Sequence, residues 1–156
     1  TMLEILYATG IRVTELISLR VEDVNLTNGY IKVKKKNTER HIPLGNLSLK
    51  CLKEYINKIR PLLIRTKKKK TLFINTNGQK MTRQGYWKIL KQYKEQAKID
   101  KEITPHTIRH SFAVHMLEDG AEIKTVQELL GHTDVASTMM YTQMTSLMNK
   151  DNGINL

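Results

Sequence analysis

Two arginines, two histidines and one tyrosine occupy short ordered motifs in this 156-residue chain. In chain order, the motifs are Ala8-Thr9-Gly10-Ile11-Arg12, His106-Thr107-Ile108-Arg109, Gly131-His132 and Met140-Tyr141. A phosphodiester under nucleophilic attack gains negative charge on its non-bridging oxygens, and planar guanidinium groups match that geometry bidentately. Arg12 and Arg109 are therefore candidates for a phosphate clamp.

Tyr141 is the candidate nucleophile. A phenol has a pKa of about 10, so it attacks at neutral pH only when a base or a positive field makes the phenolate accessible. The imidazoles of His106 and His132 can exchange a proton or hold the phosphate by hydrogen bonding. These residue types together favour cleavage of a phosphodiester through a covalent bond to Tyr141.

Part of this set falls on one predicted helix. His106, Arg109 and His110 recur at i, i+3 and i+4, which places them on a single face. Thr104 is the expected cap and Pro105 the first helical residue, so His106 lies in the first turn, where backbone N–H groups favour an anion. We predict a phosphate pocket at this helix end, with His110 in a supporting role.

The histidines also allow a zinc site built from His106, His110, His115 and His132. Zinc sites of this size usually include a cysteine or a carboxylate. The single cysteine, Cys51, falls in a separate apolar stripe of helical period and is interpreted as a packed thiol. We therefore predict neither a metal nor a cofactor, and His115 is expected to be an ordinary residue of a helix face.

The pattern predicts a mainly helical α+β domain with a small antiparallel sheet. Alternation in Ile31-Lys32-Val33 and in Arg40-His41-Ile42-Pro43-Leu44 indicates a hairpin around residues 30–44, and residues 72–75 indicate a further short strand. Helices are expected over residues 2–8, from 13 to 17, over 49–59 up to Arg60-Pro61, from Thr82, over 104–119 and over 123–130. Glycines at 10, 120 and 131 are expected to end helices.

The composition points to a polyanionic partner. The formal net charge is +11, and basic residues cluster on the hairpin and at residues 67–70. A solvated loop is the alternative interpretation of the second cluster. No apolar run approaches the roughly 18 residues of a membrane span, and a lone cysteine without a secretory signal is typical of a bacterial cytoplasm. The expected contacts with double-stranded DNA are Lys34, Lys36, Arg40, Lys67, Lys68, Lys69, Lys70 and Arg83.

Four segments resemble the signature segments of the tyrosine recombinases, in particular the bacterial Xer and integrase branch. They are Ala8 to Leu16, Thr104 to Ala113, Leu129 to Asp134 and Met140 to Thr142, and the resemblance runs from residue 3 to about residue 143. It implies a 3′-phosphotyrosyl intermediate formed by Tyr141, with Arg12, His106, Arg109 and His132 as catalytic partners. Glu15 matches an acidic residue of the family, which either acts directly or orients Arg12.

The family's remaining catalytic residue is a lysine on a β-hairpin. Here the hairpin carries Lys34-Lys35-Lys36-Asn37-Thr38, without the glycines that usually flank that lysine. Counting eight residues back from the Ile-Pro motif selects Lys35, whereas alignment from the first strand selects Lys36. Lys35 is favoured as the general acid toward the leaving 5′ hydroxyl.

Family members also carry an amino-terminal helical domain that clamps the other side of the duplex, and no segment of this chain corresponds to it. Residues 1–156 are therefore expected to be a single catalytic domain of a longer protein. The resemblance implies a tetramer on DNA for the full-length protein and a monomer for the fragment. Two alternatives are a nicking-closing activity like that of type IB topoisomerases and a non-catalytic DNA-binding module. The complete set of catalytic residues argues against the second.

Overall fold

The computed structural model describes residues 1–35, 37–64, 70–131 and Met139. These residues form a mainly helical α+β domain, which confirms the predicted fold class. Its helices are α1 (Met2–Thr9), α2 (Val13–Leu16), α3 (Asn46–Glu54), α4 (Arg60–Leu63), α5 (Arg83–Gln96), α6 (Pro105–Glu118) and α7 (Ile123–Leu130). Its strands are β1 (Val24–Asn25), β2 (Tyr30–Lys35) and β3 (Thr38–Pro43), and a 3-10 turn (Val21–Asp23) precedes β1. No helix among these residues is long and apolar enough to cross a membrane.

The sheet is antiparallel, in the order β1-β2-β3. Ile31 pairs with Ile42 and Lys35 pairs with Thr38, so the predicted hairpin is confirmed. Because successive strand residues point to opposite faces, Ile31, Val33 and Ile42 are buried on one face while the lysines between them reach outward. Lys32 and Lys34 therefore point away from the core.

The segment near residues 72–75 differs from the prediction of a further strand. It forms isolated bridges, Thr71 with Arg20 and Ile74 with Lys80, and the third strand is Val24–Asn25 instead. Its backbone amides donate to acceptors in separate places, with the Leu72 amide 2.9 Å from the Leu19 carbonyl and the Ile74 amide 3.0 Å from Tyr55 Oη. A buried segment held at separate points in this way makes no continuous ladder.

Helix ends follow the predicted chemistry. Thr82 Oγ1 accepts a hydrogen bond from the Gly85 amide, and Thr104 Oγ1 accepts one from the Thr107 amide. The second cap is reciprocal, because Thr107 Oγ1 accepts from the Thr104 amide at 3.1 Å. The start of α6, with His106 in its first turn, is thus held by side-chain caps.

The helix predicted to end at Arg60-Pro61 continues past the proline. A π-helical segment, Tyr55–Ile59, follows α3, and α4 begins at Arg60 and runs to Leu63. Proline lacks an N–H and its ring clashes with the carbonyl four residues earlier. The Arg60 amide bonds the Tyr55 carbonyl, a wider turn that accommodates Pro61 without ending the helical path.

The core has two parts. The larger one joins α1, α2, the sheet, α3 and α5, and its fully buried members include Ile5, Leu6, Leu16, Ile31, Ile42 and Leu52. The smaller one lies between α6 and α7 and consists of Phe112, Ala113, Val126 and Leu130. Gly10, which follows α1, lies against the smaller cluster.

Gly10 is required by both conformation and space. Its φ is 60°, a left-handed conformation that L-residues adopt at a cost. A Cβ there would overlap the Phe112 ring and come within 2.8 Å of Leu130 Cδ2. The turn between α1 and Arg12 therefore rests directly on α6 and α7.

Replacing Gly10 by alanine should destabilise the domain more than the same change at Gly120. Both glycines have positive φ, but a Cβ at Gly120 meets nothing within 4 Å. Gly120→Ala should therefore show backbone strain alone, while Gly10→Ala adds overpacking, a further loss of about 2 kcal/mol. Urea unfolding of both variants measures the difference, and equal losses would contradict the close contact at Gly10.

Candidate active site

A groove of about 1000 Å³ lies between α5, the start of α6 and the residues leading into α2. Arg12, His106 and Arg109 all line it. These three side chains come from two motifs that are far apart in sequence. The structure therefore brings together three of the six residues predicted to be catalytic.

Arg12 caps the start of α2 with its backbone. Its amide donates to Glu15 Oε2 at 2.8 Å, which leaves the guanidinium beside the groove. Nη1 is buried, lies 3.9 Å from Glu15 Oε1, and has no hydrogen-bond acceptor among the described residues. A buried donor without an acceptor is destabilising, whereas the exposed part of the side chain, 36% of its surface, is available to an anionic oxygen in the groove.

Arg109 is 5% exposed, and its side chain joins two chain segments. Nη1 donates to the Gly10 carbonyl, and Nη2 donates to the Leu130 carbonyl at 2.9 Å. These acceptors belong to the turn before Arg12 and to the last residue of α7. Arg109 therefore has a structural role that its motif did not indicate.

The two histidines of α6 differ in their surroundings. His106 is exposed and lines the groove, as expected for a residue of the first helical turn. His110 is partly buried, does not line the groove, and has its pKa lowered by that burial. The neutral form of His110 is therefore favoured at pH 7, which fits a supporting position better than contact with an anion.

Glu15 accepts hydrogen bonds from both Arg12 and Arg40. Arg40 forms a two-pronged ion pair with it, Nη1 to Oε1 at 3.0 Å and Nη2 to Oε2 at 2.9 Å. Burial by itself raises the pKa of Glu15, but the hydrogen bonds from the Arg40 side chain and the Arg12 amide, together with both positive charges, lower it below its ordinary value. Glu15 is therefore a carboxylate at neutral pH.

Arg40, one of the predicted DNA contacts, has a largely buried side chain. Its side chain is only 16% exposed, and its Nε donates to the Leu129 carbonyl at 2.9 Å while its two terminal nitrogens hold Glu15. A buried carboxylate requires a paired cation, and Arg40 supplies it. The structure thus gives Arg40 partners inside the protein, and its contact with a phosphate stays a prediction.

Lys34 and Lys35, the predicted hairpin lysines that the structure describes, are exposed. Lys35 ends β2, opposite Thr38, and does not line the groove. Lys34 reaches the buried Asp23, with 3.8 Å between Nζ and Oδ1. Of the other predicted DNA contacts, Lys70 is exposed and Arg83 is exposed at the groove. Lys36, Lys67, Lys68, Lys69, His132 and Tyr141 lie outside the described residues.

The sequence analysis did not identify the face of α5 that lines the groove. Besides Arg83, the groove is lined by Gln84, Trp87, Lys88 and Lys91. Residues 83, 87 and 91 recur every four positions, as do 84 and 88, which is the spacing of one helix face. Trp87 is exposed on this face, whereas Tyr86 and Leu90 make the buried contacts of α5.

The described histidines of the proposed zinc alternative lie in different surroundings. His115 lies on the opposite side of α6 from the groove, with Nδ1 2.9 Å from Tyr7 Oη. In the ranges that the structure describes, no three histidine, cysteine, aspartate or glutamate residues form a cluster that could hold a metal ion. His132, the fourth residue of that alternative, is outside those ranges.

Comparison with known proteins gives the family. The model of the phage integrase family matches residues 1–147. The chain belongs to the phage integrase family. The groove with Arg12, His106 and Arg109 lies entirely within the matched region.

Curated members of the family are similar over most of the chain. Tyrosine recombinase XerD of Staphylococcus epidermidis is 52% identical over 145 residues, which are 92% of this chain and 49% of that protein. Tyrosine recombinase XerD of Listeria monocytogenes is 51% identical over 152 residues, which are 96% of this chain and 51% of that protein. The chain thus spans about half the length of these relatives.

Solved structures share the fold. The XerA recombinase crystal structure superposes with a TM-score of 0.83 at 27% identity, covering 98% of this chain and 57% of that one. XerH recombinase, bound to its palindromic difH substrate in a post-cleavage complex, gives 0.82 at 28% identity, covering 98% and 44%. The catalytic domain of bacteriophage HP1 integrase gives 0.65 at 22% identity, a likeness of fold alone.

Glu15→Gln should destabilise the domain in a pH-dependent way. Because the pKa of Glu15 in the folded protein is below its ordinary value of 4.5, the carboxylate stabilises the fold above that pH, and the contribution is lost as pH falls through the folded pKa. We expect a deficit of about 2 kcal/mol at pH 7, from weakened charge-assisted hydrogen bonds, that shrinks in acid.

Urea unfolding at pH 7 and at several acidic values measures this deficit. Glu54→Gln is the matched control, since Glu54 forms an exposed ion pair with Lys58 and should contribute little at any pH. A Glu15→Gln deficit that stays constant across the pH range would argue against the charged pair with Arg40.

Proposed function

We propose that this chain is the catalytic part of a site-specific DNA recombinase that breaks and rejoins strands through a 3′-phosphotyrosyl intermediate. The observation that carries the proposal is the convergence of Arg12, His106 and Arg109 on one groove. The similarity to proteins named tyrosine recombinase XerD over nine-tenths of the chain supports it.

In the proposed reaction, the Tyr141 phenol gives its proton to a neighbouring imidazole, His106 or His132, its oxygen attacks a backbone phosphorus, and the bond to the 5′ oxygen breaks. The guanidinium groups of Arg12 and Arg109 stabilise the charge that develops on the non-bridging oxygens. Lys35 gives a proton to the departing 5′ oxygen. A 5′ hydroxyl of a partner strand then attacks the phosphotyrosine, which reforms the phosphodiester and frees Tyr141. One phosphoester bond replaces another at each step, so no ATP is consumed.

Duplex DNA is the proposed substrate, and its backbone would follow the basic surface. Arg83, Lys88 and Lys91 line the groove on α5, and Lys34 and Lys35 extend the positive charge onto the hairpin. Neutralised phosphates release counterions, which makes such binding strong at low salt. Trp87, exposed among these cations, adds an apolar surface for a sugar or base edge.

For the full-length protein we propose a tetramer on DNA in a bacterial cytoplasm.

A topoisomerase-like nicking-closing activity would use the same residues without bringing two duplexes together. Similarity to XerD favours recombination. Transfer of a labelled strand between two marked duplexes separates the two activities. Relaxation of supercoils without strand transfer, in the full-length protein, would support the topoisomerase alternative.

Tyr141→Phe should abolish a covalent protein–DNA adduct that survives denaturant. DNA affinity should be nearly unchanged, because the phenol oxygen is required for chemistry and not for the charge that dominates binding. Tyr93→Phe, at an exposed tyrosine away from the groove, is the matched control and should keep full adduct yield. An adduct formed by Tyr141→Phe would rule out this nucleophile, and no adduct from wild type would favour a binding module.

Arg12→Lys and Arg109→Lys should each slow cleavage by about 10²–10³-fold, as is typical for losing one donor to a transition state. Their stabilities should differ. Arg109→Lys also loses bonds to two backbone carbonyls and should lower the melting temperature, whereas Arg12→Lys should leave it nearly unchanged. Single-turnover cleavage and thermal unfolding measure both effects. Near-normal cleavage in both variants would mean that neither arginine holds the phosphate.

A further inference from the structure

Arg40 contacts two elements besides its own strand. It stands on β3 opposite Val33, in the hairpin that carries Lys35. Its terminal nitrogens hold both oxygens of Glu15 in α2, and its Nε donates to the Leu129 carbonyl at the end of α7. One planar guanidinium therefore joins the hairpin, α2 and α7.

Each of these elements leads to a residue of the proposed site. Glu15 accepts the amide of Arg12, so the carboxylate that Arg40 holds also fixes the backbone from which the Arg12 side chain departs. Leu129 lies three positions before His132. Lys35 lies two residues from Val33 along β2, on the same face of the strand. A shift of the Arg40 side chain would move the hairpin, the start of α2 and the end of α7 relative to one another.

The end of α7 is fitted closely to this side chain. Gly131 has a φ of 65°, and a Cβ there would lie 2.8 Å from Arg40 Nη1. The absence of a side chain at residue 131 thus lets the backbone there lie directly against the guanidinium. The contact links Arg40 to Gly131, the residue that caps the end of α7.

A second Arg–Glu pair in the chain shows what is particular to this one. Arg20 Nη1 and Glu22 Oε1 are 3.1 Å apart, but the two side chains are 55% and 54% exposed. Arg40 and Glu15 are 16% and 8% exposed, and their contact is two-pronged. Exposed pairs contribute little, whereas a buried fork-to-carboxylate contact imposes one geometry. Arg20 is therefore a suitable control.

We propose that Arg40 is a positioning residue, which holds the hairpin of Lys35, the Arg12 end of α2 and the α7 end before His132 in the arrangement needed for cleavage, without touching DNA. The inference rests on the proposed recombinase function. It replaces the phosphate contact that the sequence alone suggested for Arg40.

The test compares Arg40→Lys, Glu15→Gln and the double variant with Arg20→Lys in the full-length protein. Arg40→Lys keeps the cation but loses the fork. Circular dichroism first establishes that each variant is folded at the assay temperature. If the double variant is unfolded, the Arg40→Lys variant alone still tests the proposal. Its DNA affinity, the salt dependence of that affinity and its rate of single-turnover adduct formation are then compared with wild type.

We expect Arg40→Lys to bind DNA with unchanged affinity and salt slope, yet to form adduct about 10²-fold more slowly, the size of effect that a small misplacement of catalytic groups produces. The double variant should be little slower than the single ones, because both remove one contact. Arg20→Lys should behave as wild type. Losses that multiply in the double variant would overturn the proposal.

A substrate with sulfur in place of the 5′-bridging oxygen distinguishes misplacement of the general acid from general destabilisation of the protein. Only the first defect should be reduced on the sulfur substrate. Sulfur leaves without a proton, so the Lys35→Ala defect should be rescued by it. Arg40→Lys should recover about tenfold or more of its loss on this substrate, because part of its defect is misplacement of the general acid. No recovery would overturn the link to the hairpin.

Two further outcomes separate this proposal from the proposed function. If Arg40 contacts a phosphate, the Arg40→Met variant should lower the salt slope by about 0.9 and weaken binding, with near-normal cleavage at saturating DNA. That result would overturn the positioning role and leave the recombinase function intact. If wild type forms no adduct that depends on Tyr141, the proposed function fails, and the inference fails with it.

Discussion

The end of α7 is held by two arginines, and the geometry of the candidate site depends on that contact. The last carbonyls of a helix have no partner within it and carry partial negative charge. Here the carbonyls of Leu129 and Leu130 accept hydrogen bonds from Arg40 and Arg109. Since Arg109 also bonds the Gly10 carbonyl, the turn before Arg12 and the end of α7 are joined through one side chain.

This arrangement divides the basic residues into two kinds. Arg40 and Arg109 are largely buried and satisfy carbonyls or a carboxylate, so their charge organises the interior. Arg83, Lys88 and Lys91 are exposed along the groove, where their charge is available to a polyanion. Arg12 stands between the two kinds, with its backbone tied to Glu15 and one buried nitrogen lacking an acceptor among the described residues.

Apolar contacts and tight turns make the polar contacts possible. Gly10 lets α1 end directly against Phe112, and that close approach brings its carbonyl within reach of Arg109. Gly131 lets the end of α7 lie directly against Arg40. In both places a side chain would separate elements that a guanidinium now joins. Close packing and polar geometry therefore depend on the same two glycines.

The sequence by itself determined the local features of this protein. Caps at Thr82 and Thr104, the hairpin around residues 30–44 and the motifs around Arg12 and Arg109 follow from short-range patterns, because turn chemistry and strand alternation act between near neighbours. It did not determine the passage of the helix through Pro61 or the irregular segment at 72–75, where tertiary contacts override local preference. Tertiary structure alone decided that Arg40 pairs with Glu15, that Arg109 bonds two carbonyls, and that the exposed face of α5 lines the groove. Which distant residues come into contact depends on how the elements pack, and short sequence patterns do not contain that information.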